Sequence, residues 1–121
     1  MSIFTTVFND LNVTVVTDLV DDISPYVRGR GKGFPAIVFE VPSQNFDRIS
    51  SGVYRTASDI SLQCMARSVM EAEEVAAAVT GAVIDNVCNT IESIERDYEE
   101  GYDDDSVGLF LVTINYTNYG G

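Results

Sequence analysis

The sequence predicts an α+β fold: one mostly antiparallel sheet packed by two helices, in the order α-β-β-α-β-β. Three observations predict it. Residues 69–87 carry an apolar stripe of helical period behind a capping box. Residues 54–67 alternate apolar and polar side chains, the period-2 pattern of a half-buried strand. Residues 107–116 are among the most β-prone of the chain and face a second extended arm across an acidic turn. Strands paired beside helices, without a regular βαβ alternation, read as α+β.

In chain order, residues 5–23 read as the first helix. Val7, Leu11, Val15, Leu19 and Ile23 recur every four residues, and Pro25 stops the run. Residues 26–33, with Gly29, Gly31 and Gly33 at alternate positions, read as a loop. Phe34-Pro35 then opens a short apolar strand, Ala36 to Val41, closed by Pro42. Residues 43–53 read as a polar connection. The next strand sets Ile60, Leu62, Cys64 and Ala66 on one face. Ser68 and Glu71 have the capping-box spacing, and Ala72, Val75, Ala76, Val79, Val83 and Val87 form the buried stripe of the second helix. Residues 90–99 and 107–116 form the final hairpin. The second arm has no proline or lysine to blunt it, so it is expected either to pair with another chain at a sheet edge or to sit in the centre of the sheet.

The 121 residues have the length of one domain, expected to span 1–121. With 45% hydrophobic and 21% charged residues the composition is globular. No apolar run approaches the ~20 residues that span a bilayer, and the N-terminus lacks the basic and apolar regions of a signal peptide, so no membrane partner is expected. Cys64 and Cys88 fit no zinc or redox spacing and read as two small buried free thiols.

The formal net charge is −12 and there is no histidine. Such a charge repels phosphates and disfavours ordinary nucleic-acid binding. The missing histidine removes the commonest general base and metal ligand. Charge is polarised as well. Residues 1–60 hold five basic and seven acidic side chains, a net of −2, and residues 61–121 hold two and twelve, a net of −10. Opposite patches of two copies can therefore face each other.

Two constellations bear on chemistry. Gly29-Arg30-Gly31-Lys32-Gly33 has the glycine content of a phosphate loop but lacks the Ser or Thr after the lysine and the helix that follows. Arg28, Arg30 and Lys32 read instead either as a basic loop that folds onto an acidic partner surface or as an ordinary solvated loop. Asp103, Asp104 and Asp105 are contiguous, whereas calcium loops space their acids by two, so this run reads as a solvated hairpin tip and a candidate contact surface. No paired nucleophile and base stand out. The expectation is a protein that assembles and is not an enzyme, with no catalytic, cofactor or metal site.

The order of these elements resembles one known family. A helix and a basic glycine-rich loop precede Phe34-Pro35-Ala36-Ile37-Val38-Phe39. Ser61-Leu62-Gln63-Cys64-Met65-Ala66 then leads into Glu71-Ala72-Glu73-Glu74-Val75-Ala76-Ala77-Ala78-Val79, and a hairpin with an acidic tip closes the chain. Over residues 5–117 this resembles the tail terminator (tail completion) proteins of long-tailed bacteriophages. The resemblance implies a structural virion protein, assembled in the host cytoplasm and placed at the head-proximal end of the tail. Its copies would form a hexameric ring that caps the tail tube, ends its polymerisation and joins it to the head connector. The implied partners are other copies of the chain, the tail tube protein and a neck protein, with DNA passing through the channel without specific binding. A head-closure or neck adaptor, a tube subunit, and a small cytoplasmic ligand-binding module are the alternatives.

Overall fold

The computed structural model describes residues 2–26, 33–48, 54–99 and 108–120, and at 47, 48, 54 and 55 the backbone alone. Three helices, α1 (Ile3–Leu11), α2 (Thr14–Thr17) and α3 (Val69–Asp85), accompany five strands. These are β1 (Asp22–Pro25), β2 (Ala36–Arg48), β3 (Tyr54–Ala66), β4 (Asn89–Glu99) and β5 (Leu109–Gly120). They form one sheet in the order β1-β2-β3-β5-β4. Only β1 and β2 are parallel; the other neighbours are antiparallel. The fold class is the expected one, with more elements than expected.

The helix expected over 5–23 is broken. Ser2 caps α1 by accepting the Thr5 N–H at 3.2 Å. At Asn12 the backbone leaves helical geometry (φ −81°, ψ 61°). The next five residues, Val13 to Thr17, are all β-branched, which disfavours helix continuation. A single turn, α2, results, and Val16 rather than Val15 enters the core. The residues after it extend along β2 as β1, where Ile23 sits beside Ile37.

β1 hands over to Tyr26, whose φ of 63° lies in the left-handed region that bulky residues avoid. Its N–H donates to the Phe39 carbonyl at 2.9 Å, and its ring lies 5.8 Å from that of Phe4. These contacts hold the unfavourable dihedral.

Pro42 does not close β2. It has no N–H to give a ladder. The strand shifts register between Glu40 and Ser43 and then continues, pairing Ser43↔Asp59 through Arg48↔Tyr54. The expected polar connection is thus mostly strand, and β2 and β3 make a long hairpin arm.

α3 begins as expected, with Ser68 Oγ accepting the Glu71 N–H at 3.2 Å. It ends at Asp85, so Val87 leaves the stripe and is 94% exposed. Its buried side, Ala72, Val75, Ala76, Val79, Ala82 and Val83, packs on β3 and β5. α1 and α2 pack against α3 on the same side, and Phe4 stacks near Phe39 with centroids 6.2 Å apart. The core lies between this helical layer and Ile37, Phe39, Ile60, Leu62, Cys64, Val112, Ile114 and Tyr116. Each fully buried aliphatic there contributes about 1.5–3 kcal/mol relative to exposure.

β5 is not an edge strand. It runs between β3 and β4, with Leu62↔Ile114 on one side and Ile94↔Ile114 on the other. The apolar content read as an unblunted edge is that of a central strand whose neighbours satisfy both ladders. The edges belong to β4, rich in glutamate, and to β1 with the outer side of β2 beyond it.

A polar knot fixes the helix ends. Asp10 accepts hydrogen bonds from the Asn86 amide, at 3.1 Å to each carboxylate oxygen, and from the Asn89 amide at 3.1 Å. Asn89 Oδ1 in turn accepts from Asn118 Nδ2 at 2.7 Å. One carboxylate thereby joins α1, the end of α3, β4 and, through Asn89, β5.

Candidate assembly surfaces

Arg28, Arg30, Lys32, Asp103, Asp104 and Asp105 all lie outside the described residues. Three other surfaces are defined by the fold.

The first is the sheet face opposite the helices. Residues paired across strands share a face, so Ile37, Cys64 and Val112 define the helical side and their sequence neighbours define the other. On the rungs from Ala57 to Met65 the helix-free face gathers Glu40, Asp59, Glu95 and Asp97 with Ser43, Ser61, Gln63, Thr113 and Asn115, beside a patch of Ala36, Val38, Met65 and Leu111 in which all but Met65 are buried. Glu92, at the β4 register shift, joins them through its hydrogen bond with Thr117. No lysine or arginine stands on those rungs of this face. Thr117 Oγ1 lies 3.0 Å from Asp59 Oδ1 and 2.5 Å from Glu92 Oε1. One hydroxyl proton can serve only one of these two carboxylates. Asp59 also accepts from Ser43 Oγ at 2.7 Å through its other carboxylate oxygen. Glu99 extends the acidic row at the end of β4.

The helical side of β4 differs in charge. Arg96 pairs with Glu73 of α3 through two hydrogen bonds, one of 3.1 Å between Nη2 and Oε2. The Arg96 hydrogen bond holds the Glu73 carboxyl below its usual range, and Glu73 correspondingly raises Arg96. Both side chains are largely exposed, so the pair orients them more than it stabilises the fold.

The second surface is the outward side of α3. Met70, Ala77, Gly81 and Ile84 recur along it, and Val87 and Cys88 follow in the next turn; all are exposed. A Cβ placed on Gly81 would meet nothing within 4 Å.

The third is the β2–β3 arm. Beyond the cover of α3 it shares with the start of α1 a groove of about 580 Å³, floored by Ser58 and Asn118 and flanked by Phe4 and Phe46. Gln44 donates to Ser58 across it at 2.9 Å. Phe46 is 64% exposed.

The thiols differ in environment. Cys64 is buried in the core as expected, which pushes its pKa up to about 12, but Cys88 is exposed, because α3 ends at Asp85 and the chain turns outward past it. Tyr116 is buried with no hydrogen-bond partner for its hydroxyl among the described residues. Burial, and secondly the charge of Asp10, hold that phenol above its usual range. Among the described residues no group of three or more His, Cys, Asp or Glu side chains converges to hold a metal ion.

The acidic sheet face was not singled out from the sequence, because it draws on four strands. One signal for it was available: Glu95, Asp97 and Glu99 alternate with Ile94, Arg96 and Tyr98.

The sequence matches no family model and no curated relative. Among solved structures, the chain is similar to one described as the virion of a native gene transfer agent particle. The TM-score is 0.57 at 12% identity, and the match covers 95% of this chain and 92% of that chain. At this identity the likeness is one of fold.

Proposed function

We propose that this protein is a structural virion subunit, a single non-catalytic domain whose copies assemble into a ring at the head-proximal end of a phage-like tail. In this reading the ring is a hexamer that caps the tail tube, ends its polymerisation and meets the head connector. The observation that carries the reading is the helix-free acidic sheet face, on a fold shared along nearly its whole length with a chain from a gene transfer agent virion. Turned inward in a ring, such a face makes a channel wall that repels DNA phosphates, so the duplex passes without condensing on it. The two sheet edges are unlike each other, so contacts between neighbours are head-to-tail and close into a ring when the rotation permits.

Light scattering and electron microscopy of the purified protein test the proposal. Closed rings of uniform mass that add to tube ends are expected. A chain that stays monomeric at high concentration and ignores tube ends refutes it, and long tubes formed by the chain alone identify a tube subunit instead. A large thermal shift with one nucleotide or metal would favour a ligand-binding module.

A further inference from the structure

We infer that the groove between the start of α1 and the β2–β3 arm binds a primary carboxamide, the side-chain amide of an asparagine or glutamine on a partner polypeptide. The inference goes beyond the ring reading and does not depend on it.

A run of hydrogen bonds fixes what the floor of this groove offers. The Asp10 carboxylate only accepts hydrogen bonds. The Asn89 amide nitrogen therefore points toward it, at 3.1 Å, and also donates to the Val83 carbonyl at 2.9 Å. That turns Asn89 Oδ1 toward Asn118, whose amide nitrogen donates to it at 2.7 Å. Asn118 Oδ1 is left on the other side, and no donor meets it among the described residues. Asn118 is only 6% exposed, yet this oxygen is not sealed off. Gly120, which also lines the groove, keeps it open: a Cβ there would meet only Asn118 Oδ1 among the described residues, at 3.6 Å. An acceptor on a buried side chain is thus aimed into the groove without a partner.

Ser58, directly across the ladder from Asn118, supplies the complementary group. It is 1% exposed, its oxygen accepts from Gln44 Nε2 at 2.9 Å, and its hydroxyl proton has no acceptor among the described residues. Side chains of directly paired residues on one face start about 5 Å apart. The floor therefore sets one donor beside one acceptor. A primary carboxamide carries its oxygen and an N–H on adjacent corners, so it can accept from Ser58 and donate to Asn118 together. A trans peptide group has its C=O and N–H on opposite sides and can engage only one of them.

Charge excludes the ionic alternatives. No residue lining the groove is charged. A carboxylate or phosphate would face the Asn118 oxygen with no basic side chain beside it, on a chain of net −12. An ammonium would stand against the first turn of α1, the positive end of the helix dipole. A neutral amide meets neither penalty, and Phe4 and Phe46 flank the floor with apolar rings for its flat faces. The bearer is a polypeptide because β1 pairs with β2 only from Ala36 to Phe39. Among the described residues no strand lies on the outer side of β2 from Ser43 to Phe46, so that edge can take an extended segment while its side chain enters the groove.

Saturation-transfer NMR of the full chain with N-acetylglutamine methylamide tests the inference. The glutamate and alanine analogues share its backbone amides, and uridine carries a similar amide edge within a ring. Saturable binding of the glutamine compound is expected below about 50 mM, about tenfold tighter than that of the glutamate and alanine compounds. Ser58→Ala should weaken it about tenfold, and Gly120→Val, which sets bulk over Asn118 Oδ1 outside the core, should abolish it. Unchanged melting curves would show that both variants fold. No saturable binding, or equal binding of the glutamine and alanine compounds, overturns the inference, as does binding that survives Gly120→Val. Equal or tighter binding of the glutamate compound overturns the neutral amide, and tighter binding of uridine overturns the polypeptide as its bearer. None of these outcomes bears on whether copies of the chain close into a ring.

Discussion

Replacing Asp10 with alanine is the sharpest test of how the helical layer is tied to the sheet. The carboxylate accepts three contacts of 3.1 Å from two amides, Asn86 at the C-cap of α3 and Asn89 at the start of β4. A hydrogen bond to a charged group is worth about 1.5–3 kcal/mol, and a buried amide left unpaired adds its own desolvation cost. Three facts reduce the total. Asp10, Asn86 and Asn89 are only partly buried, so water can replace part of what is lost. Asn89 keeps its second bond, to the Val83 carbonyl at 2.9 Å. Removing one negative charge from a chain of net −12 relieves self-repulsion. The expected loss is therefore about 1.5–2.5 kcal/mol. For a domain of this size that lowers Tm by roughly 5–12 °C. Urea unfolding monitored by circular dichroism measures it, and Asp10→Asn separates charge from shape: it keeps one acceptor and should lose about half as much. An Asp10→Ala loss below about 0.5 kcal/mol, the scatter of ordinary surface substitutions, would refute the claim that this carboxylate holds the layers together.

Three further outcomes follow from the structure. Gly108→Ala should destabilise by about 1–3 kcal/mol, the range for overpacking, because the added Cβ would lie 2.5 Å from the Glu99 carbonyl oxygen and against the Tyr98 ring; equilibrium unfolding checks this. A thiol reagent should label one cysteine rapidly in the native protein and both in denaturant, since Cys64 is buried with its pKa pushed up to about 12 and Cys88 is exposed. Arg96→Ala should move the Glu73 titration up toward the ordinary carboxylate value, seen by NMR. Because Glu73 is depressed in the folded state, its small contribution is present above the unfolded pKa and lost as pH falls through the folded one.

Local signals identified some elements and failed for others. α3 was legible because its capping hydroxyl, its first-turn glutamates and its stripe all lie within one segment, and β3 because its alternation is local. The break at Asn12 was hidden by Val15, which keeps the four-residue spacing while the chain turns and buries Val16 instead. β1 was missed because four residues carry little pattern and owe their form to a parallel neighbour. Pro42 looked like a terminus, but a register shift in the ladder accommodates it. The place of β5 in the sheet depends on pairing partners up to fifty and more residues away, which no local window contains. The same applies to the candidate surface: its acids come from β2, β3 and β4, and the pairing alone brings them together.

The central position of β5 also bears on when the subunit becomes competent. Of the five strands it is synthesised last, yet it supplies the partner for β4 and the second partner for β3. Until the residues from 109 onward have been made, β4 has no ladder to join and one side of β3 stays open, exposing the apolar rungs around Leu62. Sheet closure therefore waits for distant segments to meet, a slow event in folding. The acidic row on β4 protects that interval, since like charges discourage two nascent chains from pairing through their unfinished edges. The order of synthesis thus makes completion of the sheet wait for its last strand, which lies between two earlier ones.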